Sequence, residues 1–378
     1  MLRFLTAGES HGPSLTAILE GLPAGLRLNK DRINQMLARR QLGVGSSSRM
    51  QIEKDEIEIT SGVRFGETIG SPITIVIKNR DWENWKEVMD PWRSPDSPKR
   101  QITRPRPGHA DLPGMIKYQR SDGRDILERA SARETAIRTA VGAICTELLS
   151  EIDISIISYV ISIGEIVAKE IPQGFDHRRE LAEISPVRCP DPLASEGMVK
   201  LIDQAKEHGD TLGGVIETVA LNVPIGLGSH VNWDRRLDSR ISGAMMSIPA
   251  IKGVEIGLGF EAARKLGSET LDPIMADMSR STNHAGGIEG GISNGQPILI
   301  RCAMKPLSTL MKPMDSVDLQ TNEPAKASVE RSDVCAVPRA AVVCEAVLAI
   351  ELSKALSENF GGDTLDQLRD RVKQFRDS

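Results

Sequence analysis

Aromatic side chains are scarce: 4 Trp, 2 Tyr and 6 Phe amount to 3% of 378 residues. That is too few for the stacking platforms that hold single-stranded nucleic acid. The 5 cysteines, at positions 145, 189, 302, 335 and 344, include no C-x-x-C pair and are odd in number. Neither a zinc site nor a disulfide framework is indicated, and the thiols read as small buried hydrophobes. No uninterrupted apolar run approaches the ~18 residues of a membrane span, and MLRFLTAGES lacks an apolar signal core. The expected compartment is therefore the cytoplasm. Charge of one sign is not in large excess either, with 47 Lys+Arg against 52 Asp+Glu and a net charge of -5. The surface as a whole does not attract polyanions, so any anion site must be built locally. A strand followed by G-x-G-x-x-G, the dinucleotide fingerprint, is also missing.

What is present is a large core in the making, since 40% of the residues are hydrophobic. Alternating or β-branched stretches predict strands over 2–7, 14–20, 56–61, 73–78, 154–163 and 213–223. Helical spacing predicts helices over 30–41, 132–149, 196–207, 235–246, 336–356 and 363–375. Asn29 is placed to cap the first of these, with Ile33, Met36, Leu37 and Arg40 on one face. Ser131 and Glu134 match the S-x-x-E capping box at the second. The proline-rich stretch 79–113, with Trp82, Trp85 and Trp92, reads as a functional loop. GVRFGETIGSPITI from Gly62 resembles GIEGGISNGQPILI from Gly287, with glycines and proline aligned at one shift. The same turn-and-strand device built twice implies two similar halves in one fused core, around 1–150 and 210–360.

The string Gly8-Glu9-Ser10-His11-Gly12 fits the G-x-S-x-G elbow of serine hydrolases. That elbow requires a helix after it and sits well into the chain, whereas here it opens the chain and Pro13 follows. Arginines cluster with glycine, serine and histidine: Arg39, Arg40 and Arg49 around a Gly/Ser loop containing Ser46; Arg104, Arg106 and His109; Arg129 and Arg133 around Ser131; and Arg331, Asp333 and Arg339. Forked guanidinium groups match phosphate and carboxylate oxygens, so a small polyanion is implied. Each lone arginine could be a solvated charge, capping alone would account for Ser131, and Asp333 could simply cap the helix beginning near 336.

GESHG, ERASARETA from Glu128, RPGHADLPGMIKY from Arg106, SRISGAMMSIPAIKGVEIG from Ser239, NHAGGIEGGISNG from Asn283, AMKPLSTL from Ala303, and Arg331-Ser332-Asp333 leading to Val337-Pro338-Arg339 occur in this order along the chain. Together they resemble the chorismate synthase family over essentially the whole length. The resemblance implies an α+β fold, a β-α-β sandwich with antiparallel sheets around central helices, as a single domain over 1–378 in a homotetramer. It implies loss of phosphate from 5-enolpyruvylshikimate 3-phosphate by anti-1,4-elimination, giving chorismate, the last step of the shikimate pathway. Reduced FMN is required without net redox change.

By the same resemblance His11 and His109 are acids, Asp333 is the terminal base, and Ser10 and Ser131 assist by hydrogen bonds. Flavin contacts fall on Arg129, Ala130, Ser131, Pro249, Ala250, Gly290, Lys305, Pro306, Leu307, Ser308, Thr309 and Arg331. Arg40, Arg49, Arg133 and Arg339 meet substrate. Ser46 stands where the family has an arginine linked with NADP contact, and Pro249 replaces an asparagine, leaving only a carbonyl or apolar surface for the flavin. NADPH enters as a reductant only, and the missing dinucleotide fingerprint favours a separate flavin reductase. A non-catalytic phospholigand-binding protein would explain the arginines but not two acids with a base.

Overall fold

The chain, seen in a computed structural model, is described over residues 2–45, 54–92, 100–330 and 332–377. β1 (Arg3–Ala7) and β2 (Ser14–Glu20) pair antiparallel, with Leu5 opposite Ile18. The side-chain period of two turns Leu15, Ala17 and Leu19 into the core and leaves Ile18 outside. β6 (Ile73–Lys78) adds to β2 and buries Ile73, Ile75 and Ile77 in the same way. β3 (Ile57–Ile59) closes a four-stranded sheet ordered β1-β2-β6-β3.

The second sheet has five strands, β7 (Ser155–Ile163), β8 (Ile166–Val167), β9 (Gly214–Leu221), β10 (Ile251–Ile256) and β13 (Ile298–Met304), ordered β10-β13-β9-β7-β8. All its pairings are antiparallel. Two short hairpins precede the second-from-edge strands: β4 (Val63–Arg64) with β5 (Glu67–Thr68) before β6, and β11 (Ile288–Glu289) with β12 (Ile292–Ser293) before β13.

Helix α1 (Lys30–Gln41) is capped by Asn29, whose Oδ1 accepts from the N–H groups of Asp31 and Arg32 at 3.0 and 3.1 Å. It buries Ile33, Met36, Leu37 and Arg40, the face that the spacing predicts. Next come α2 (Asp111–Tyr118), α3 (Arg124–Ala130) and α4 (Glu134–Ser150), then α5 (Phe175–Ile184) and α6 (Pro192–Glu207). The chain ends through α7 (Leu237–Met246), the short α8 (Gly267–Thr270), α9 (Val337–Asn359) and α10 (Leu365–Asp377). The architecture is thus α+β.

α4 and α9 are mostly apolar and buried on nearly every side, as interior helices are, with the few charges they carry held in ion pairs or hydrogen bonds. They pack on each other; α4 also lies against the first sheet, and α9 against β7 and β9 of the second. Gly142 permits the close approach, since a methyl there would sit 2.4 Å from the Ala346 Cα. Buried Glu345 of α9 accepts from Arg39 of α1 and from Ser158 of β7. Arg39 and Arg188 both grip Glu183, whose burial would raise its pKa but whose hydrogen bonds to them hold it down at about 2.

Four helices, α2, α3, α5 and the short α8, were not expected from the sequence. α2 begins inside the stretch read as a loop, and Pro113 is tolerated because it sits in the first turn, where the N–H has no intrahelical acceptor. The rest of that stretch includes a 3₁₀ turn, Arg80–Asn84. The expected capping box does not form. The Glu134 carboxylate is taken by Thr6 and Arg138 instead of reaching back to Ser131, and α4 starts at Glu134 itself. Ser131 Oγ still accepts from the Arg133 N–H at 3.2 Å.

Candidate active site

The GESHG loop joins β1 to β2, strand to strand, so no helix follows Ser10 and the hydrolase elbow is absent. Instead the loop is clamped from three sides. Ser10 N–H donates to the Glu128 carbonyl at 2.9 Å, and His11 N–H to the Glu128 carboxylate at 2.8 Å. Asn79 Nδ2 donates to the carbonyls of Gly12 and Glu9 at 2.8 and 3.1 Å, while its Oδ1 accepts from Arg133 Nε at 2.9 Å. The Arg129 guanidinium binds the Thr6 and Gly8 carbonyls, so that side chain braces β1.

This loop forms one wall of a cavity of about 1290 Å³. Ser10, His11, His109, Ser131 and Asp333 all line it, although up to 323 positions separate them in the chain (333 − 10). α4 and α9, lying side by side, both direct their N-terminal ends here: Ser131, Ala132 and Arg133 precede α4, and Ala336 and Arg339 open α9. Helix N-termini carry partial positive charge and unpaired N–H groups, so two of them favour an anion between them.

The cations are numerous. Arg40, Arg100, Arg106, Arg124, Arg133, Lys252, Lys305 and Arg339 line the space, against Asp81, Glu330 and Asp333. Arg40 is fixed by Thr135 Oγ1, which accepts from its Nε at 3.0 Å and its Nη2 at 2.9 Å. Burial, followed by the nearby guanidiniums of Arg133 and Arg339, pulls Arg40 down to about 10 against the opposing pull of Asp55. Burial likewise lowers Arg339. Two buried donors, Arg40 Nη1 and Arg339 Nη2, have no hydrogen-bond partner among the described residues. Unsatisfied buried N–H groups on depressed cations are what an incoming anion would relieve. Arg133 is already engaged: its Nη1 lies 2.7 and 2.8 Å from the two Asp55 carboxylate oxygens.

At the other end, Lys305 Nζ donates to Ser308 Oγ at 2.9 Å and to the Pro306 carbonyl at 3.1 Å. Burial and the neighbouring Lys252 lower the Lys305 pKa. Gly108 (φ +72) passes close by, and a Cβ there would lie 3.4 Å from Ser308 Oγ. Arg106 Nη1 donates to Thr309 Oγ1 at 2.8 Å. A lysine, two hydroxyls and a glycine with φ above zero form a polar cradle suited to a phosphate. Pro249, Ala250 and Leu307 form adjoining wall, and Ala130 lies beside Ser131.

Not every expected residue reaches the cavity. Gly290 (φ +57) is in the turn between β11 and β12 and is not part of the lining, nor are Arg129 and Pro306. Ser46, Arg49 and Arg331 lie outside the described residues. The capping alternative for Asp333 does not hold, because its carboxylate is paired with Arg339.

Four lining groups escaped the sequence reading: Trp85, Arg100, Arg124 and Lys252. Trp85 stacks on the His11 ring at 3.8 Å with 23° between planes, and the Arg100 and Arg124 guanidiniums lie 4.2 and 4.9 Å from its centroid. For Trp85 and Arg100 the signal was the tryptophan-rich stretch 79–113, and for Lys252 the stretch from Ser239; Arg124 had none. The five cysteines are all free and buried, as their spacing suggests. No helix among the described residues is long and apolar enough to cross a membrane.

The family model described as "Chorismate synthase" matches residues 2–356. Chorismate synthase of Desulforamulus reducens is 57% identical over 383 residues, covering 100% of this chain and 98% of the relative. That of Syntrophotalea carbinolica is 55% identical over 377 residues, covering 99% and 97%. A solved structure titled "Crystal Structure of Chorismate Synthase" superposes with a TM-score of 0.80 at 47% identity, over 100% of this chain and 97% of the other.

Proposed function

The chain belongs to the chorismate synthase family, and from that premise we propose that it converts 5-enolpyruvylshikimate 3-phosphate to chorismate and phosphate. This would make it a carbon–oxygen lyase of the shikimate pathway, acting in aromatic amino-acid biosynthesis in the cytoplasm. The reading is carried by one observation: two histidines, a carboxylate and a set of arginines from remote parts of the chain meet in one cavity.

The reaction breaks the bond between C3 and the phosphate oxygen and the bond between C6 and hydrogen. Arg40 and Arg339, with buried donors to spare, bind the anionic substrate and stabilise the departing phosphate. Arg133, committed to Asp55 and Asn79, contributes charge and holds the GESHG loop in place. Protonated His11 and His109 stabilise developing negative charge, with Ser10 and Ser131, 3.1 Å apart, adding hydrogen bonds. Asp333 ends as the acceptor of the C6 proton. Arg49 belongs with the substrate cations, and Ser46 and Arg49 with any NADP contact.

The cradle at Lys305, Ser308 and Thr309 fits the phosphate tail of FMN. Ala130, Ser131, Pro249, Ala250 and Leu307 line the cavity and would hold the rest, whereas Arg129, Gly290 and Pro306 lie outside its lining and Arg331 outside the described residues. Reduced FMN, when bound, supplies electron density to the ring as phosphate departs and recovers it, leaving no net redox change. NADPH serves only to reduce it, through a separate reductase.

We also read the fold as a β-α-β sandwich of two similar halves, in one domain that assembles as a homotetramer. The strand orders β1-β2-β6-β3 and β7-β9-β13-β10 support the two similar halves. So do matched glycines, with φ of +81, +81 and +78 at Gly62, Gly66 and Gly70 against +80, +88 and +86 at Gly287, Gly291 and Gly295. Thr68 Oγ1 donates to the Pro23 carbonyl at 2.6 Å, and Ser293 Oγ to that of Pro224 at 2.6 Å.

Anaerobic assay of phosphate release from the substrate tests the activity. Release is expected with reduced FMN and not without it; release independent of flavin, or none in either case, would end this reading. The same assay with NADPH and oxidised FMN alone is expected to give none, placing reduction in another protein.

A further inference from the structure

His11 is held by more than its place in a loop. Its ring Nδ1 lies 2.9 and 3.0 Å from the two carboxylate oxygens of Glu128, and its backbone N–H donates to the same carboxylate at 2.8 Å. Glu128 is itself 2% exposed and is gripped from behind by Arg124 Nη1 at 3.0 Å. Arg124 is anchored in turn by the Arg100 carbonyl at 2.8 Å and Glu330 at 3.0 Å. Trp85 covers a face of the imidazole, and its indole Nε1 donates to Asp81 at 3.2 Å.

We propose that Glu128 is a positioning residue for His11, fixing the proton on Nδ1 and the plane of the ring so that Nε2 is the nitrogen offered to substrate. A carboxylate oxygen can only accept, so the ring nitrogen facing it must carry hydrogen. The opposite nitrogen then meets the ligand, and the carboxylate stabilises the imidazolium that an acid needs to be. Burial would raise the Glu128 pKa, but hydrogen bonds from His11 and Arg124 outweigh it and hold the group below the usual range. The carboxylate is therefore ionised whenever the site works.

The device occurs twice. His109 Nδ1 lies 2.5 Å from Asp111 Oδ1, and Asp111 is held by Arg106 through Nε at 2.8 Å and Nη2 at 3.1 Å. Two histidines on different elements, each backed by a carboxylate and each carboxylate by an arginine, amount to a repeated solution to one problem. A purely structural role would leave Glu128 as a buried partner of Arg124 with no stake in the ring. The proposal rests on the reading of His11 as an acid, and the experiment separates the two.

Glu128→Gln preserves volume but leaves one neutral amide oxygen where two charged oxygens now serve Arg124 Nη1, the His11 backbone N–H and Nδ1, so no carboxylate-strength acceptor remains for the Nδ1 proton. In the proton spectrum of the flavin-free protein, the wild type is expected to show a far-downfield resonance from a carboxylate-bound imidazole N–H. It is assigned to His11 by its loss in His11→Asn. Glu128→Gln should lose it, bind FMN normally, and turn over roughly 10- to 100-fold more slowly with little change in KM. Glu128→Asp, which keeps the charge, should recover part of the rate.

In the His11→Asn background Glu128→Gln should add nothing, because the residue acts through the ring it holds. An unchanged resonance and rate in Glu128→Gln, or losses that multiply in the double variant, would overturn the proposal. Should Glu128→Gln not fold, the same cycle run with Glu128→Asp decides, through the downfield shift and the coupling. If His11→Asn itself kept full turnover, the acid assignment would fail, and the resonance in the Glu128 variants alone would then decide whether the clamp exists.

Discussion

Asp333 and Arg339 form an ion pair across the entrance to α9, the carboxylate from the preceding segment and the guanidinium from the helix's first turn. Both line the cavity. An asparagine at 333 can still accept from Arg339, so Asp333→Asn is expected to fold and to bind flavin and substrate. It cannot accept a proton, and turnover should fall by about 10²- to 10⁴-fold in the anaerobic phosphate-release assay. Near-normal turnover would remove Asp333 as the base.

Arg40 offers a sharper test of anion binding. Its fork rests on Thr135 and the Ala132 carbonyl, while Nη1, 3.7 Å from an Asp55 carboxylate oxygen, has no hydrogen-bond partner among the described residues. Arg40→Lys loses that planar geometry, and KM for the phosphorylated substrate is expected to rise roughly 10- to 100-fold. Because burial pulls Arg40 down to about 10, its cation is present below that value and lost above it. Substrate KM in the wild type should therefore climb as pH passes through about 10. A flat profile in both experiments would place the phosphate elsewhere.

Much of this was legible beforehand, for reasons specific to each element. α1 is bounded by an Asx cap and a clean apolar stripe, and its ends match the expectation residue for residue. β1, β2, β3, β6, β7 and β9 alternate or run β-branched, so periodicity finds them; β13 showed only through the repeat from Gly287, and β8 and β10, short or broken by Lys252, Gly253 and Glu255, were not expected. α3 is 7 residues long and carries buried Arg124 and Glu128, charges that a hydrophobic template reads as surface. α2 hides behind a proline. The arginine clusters were visible as clusters, but which guanidinium keeps a free donor depends on Asp55 and Thr135, contacts that span 78 and 95 positions. The carboxylate behind His11 was invisible for the same reason, since Glu128 meets it across 117 residues, whereas Asp111 stands two positions from His109 and its pairing shows only once the turn into α2 is folded.

Acid should unravel the clamps. Burial opposes ionisation of Asp111 and Glu128, yet hydrogen bonds from His109 and Arg106 to the first, and from His11 and Arg124 to the second, depress both pKa values. A depressed carboxylate contributes stability that is complete above its unfolded pKa of about 4 and is lost as pH falls through the lower folded value. The urea midpoint of the wild type should hold from neutral pH to about 5 and fall steeply below about 4. Glu128→Gln should start lower at neutral pH and decline less in acid. Parallel curves for the two proteins would mean that Glu128 carries no linked proton.

The crossing of α4 and α9 makes a prediction of opposite signs at two helical glycines. Replacing glycine by alanine in a helix interior favours the helix by up to about 1 kcal/mol. At Gly243 of α7 a new methyl would meet nothing within 4 Å, so Gly243→Ala should stabilise by an amount of that order. At Gly142 the methyl would lie 2.4 Å from both the Cα and Cβ of Ala346 and 2.6 Å from its carbonyl oxygen. Backbone cannot step aside as a flexible side chain can, so α4 and α9 must separate, and overpacking of this kind costs about 1–3 kcal/mol. That exceeds the propensity gain, and Gly142→Ala should unfold at lower denaturant. Because the N-terminal ends of the same two helices carry Arg133 and Arg339 to the cavity, their separation should also raise substrate KM, which Gly243→Ala should leave alone. If Gly142→Ala proved as stable as the wild type with unchanged KM, the close packing of the two central helices could not be what brings these arginines together.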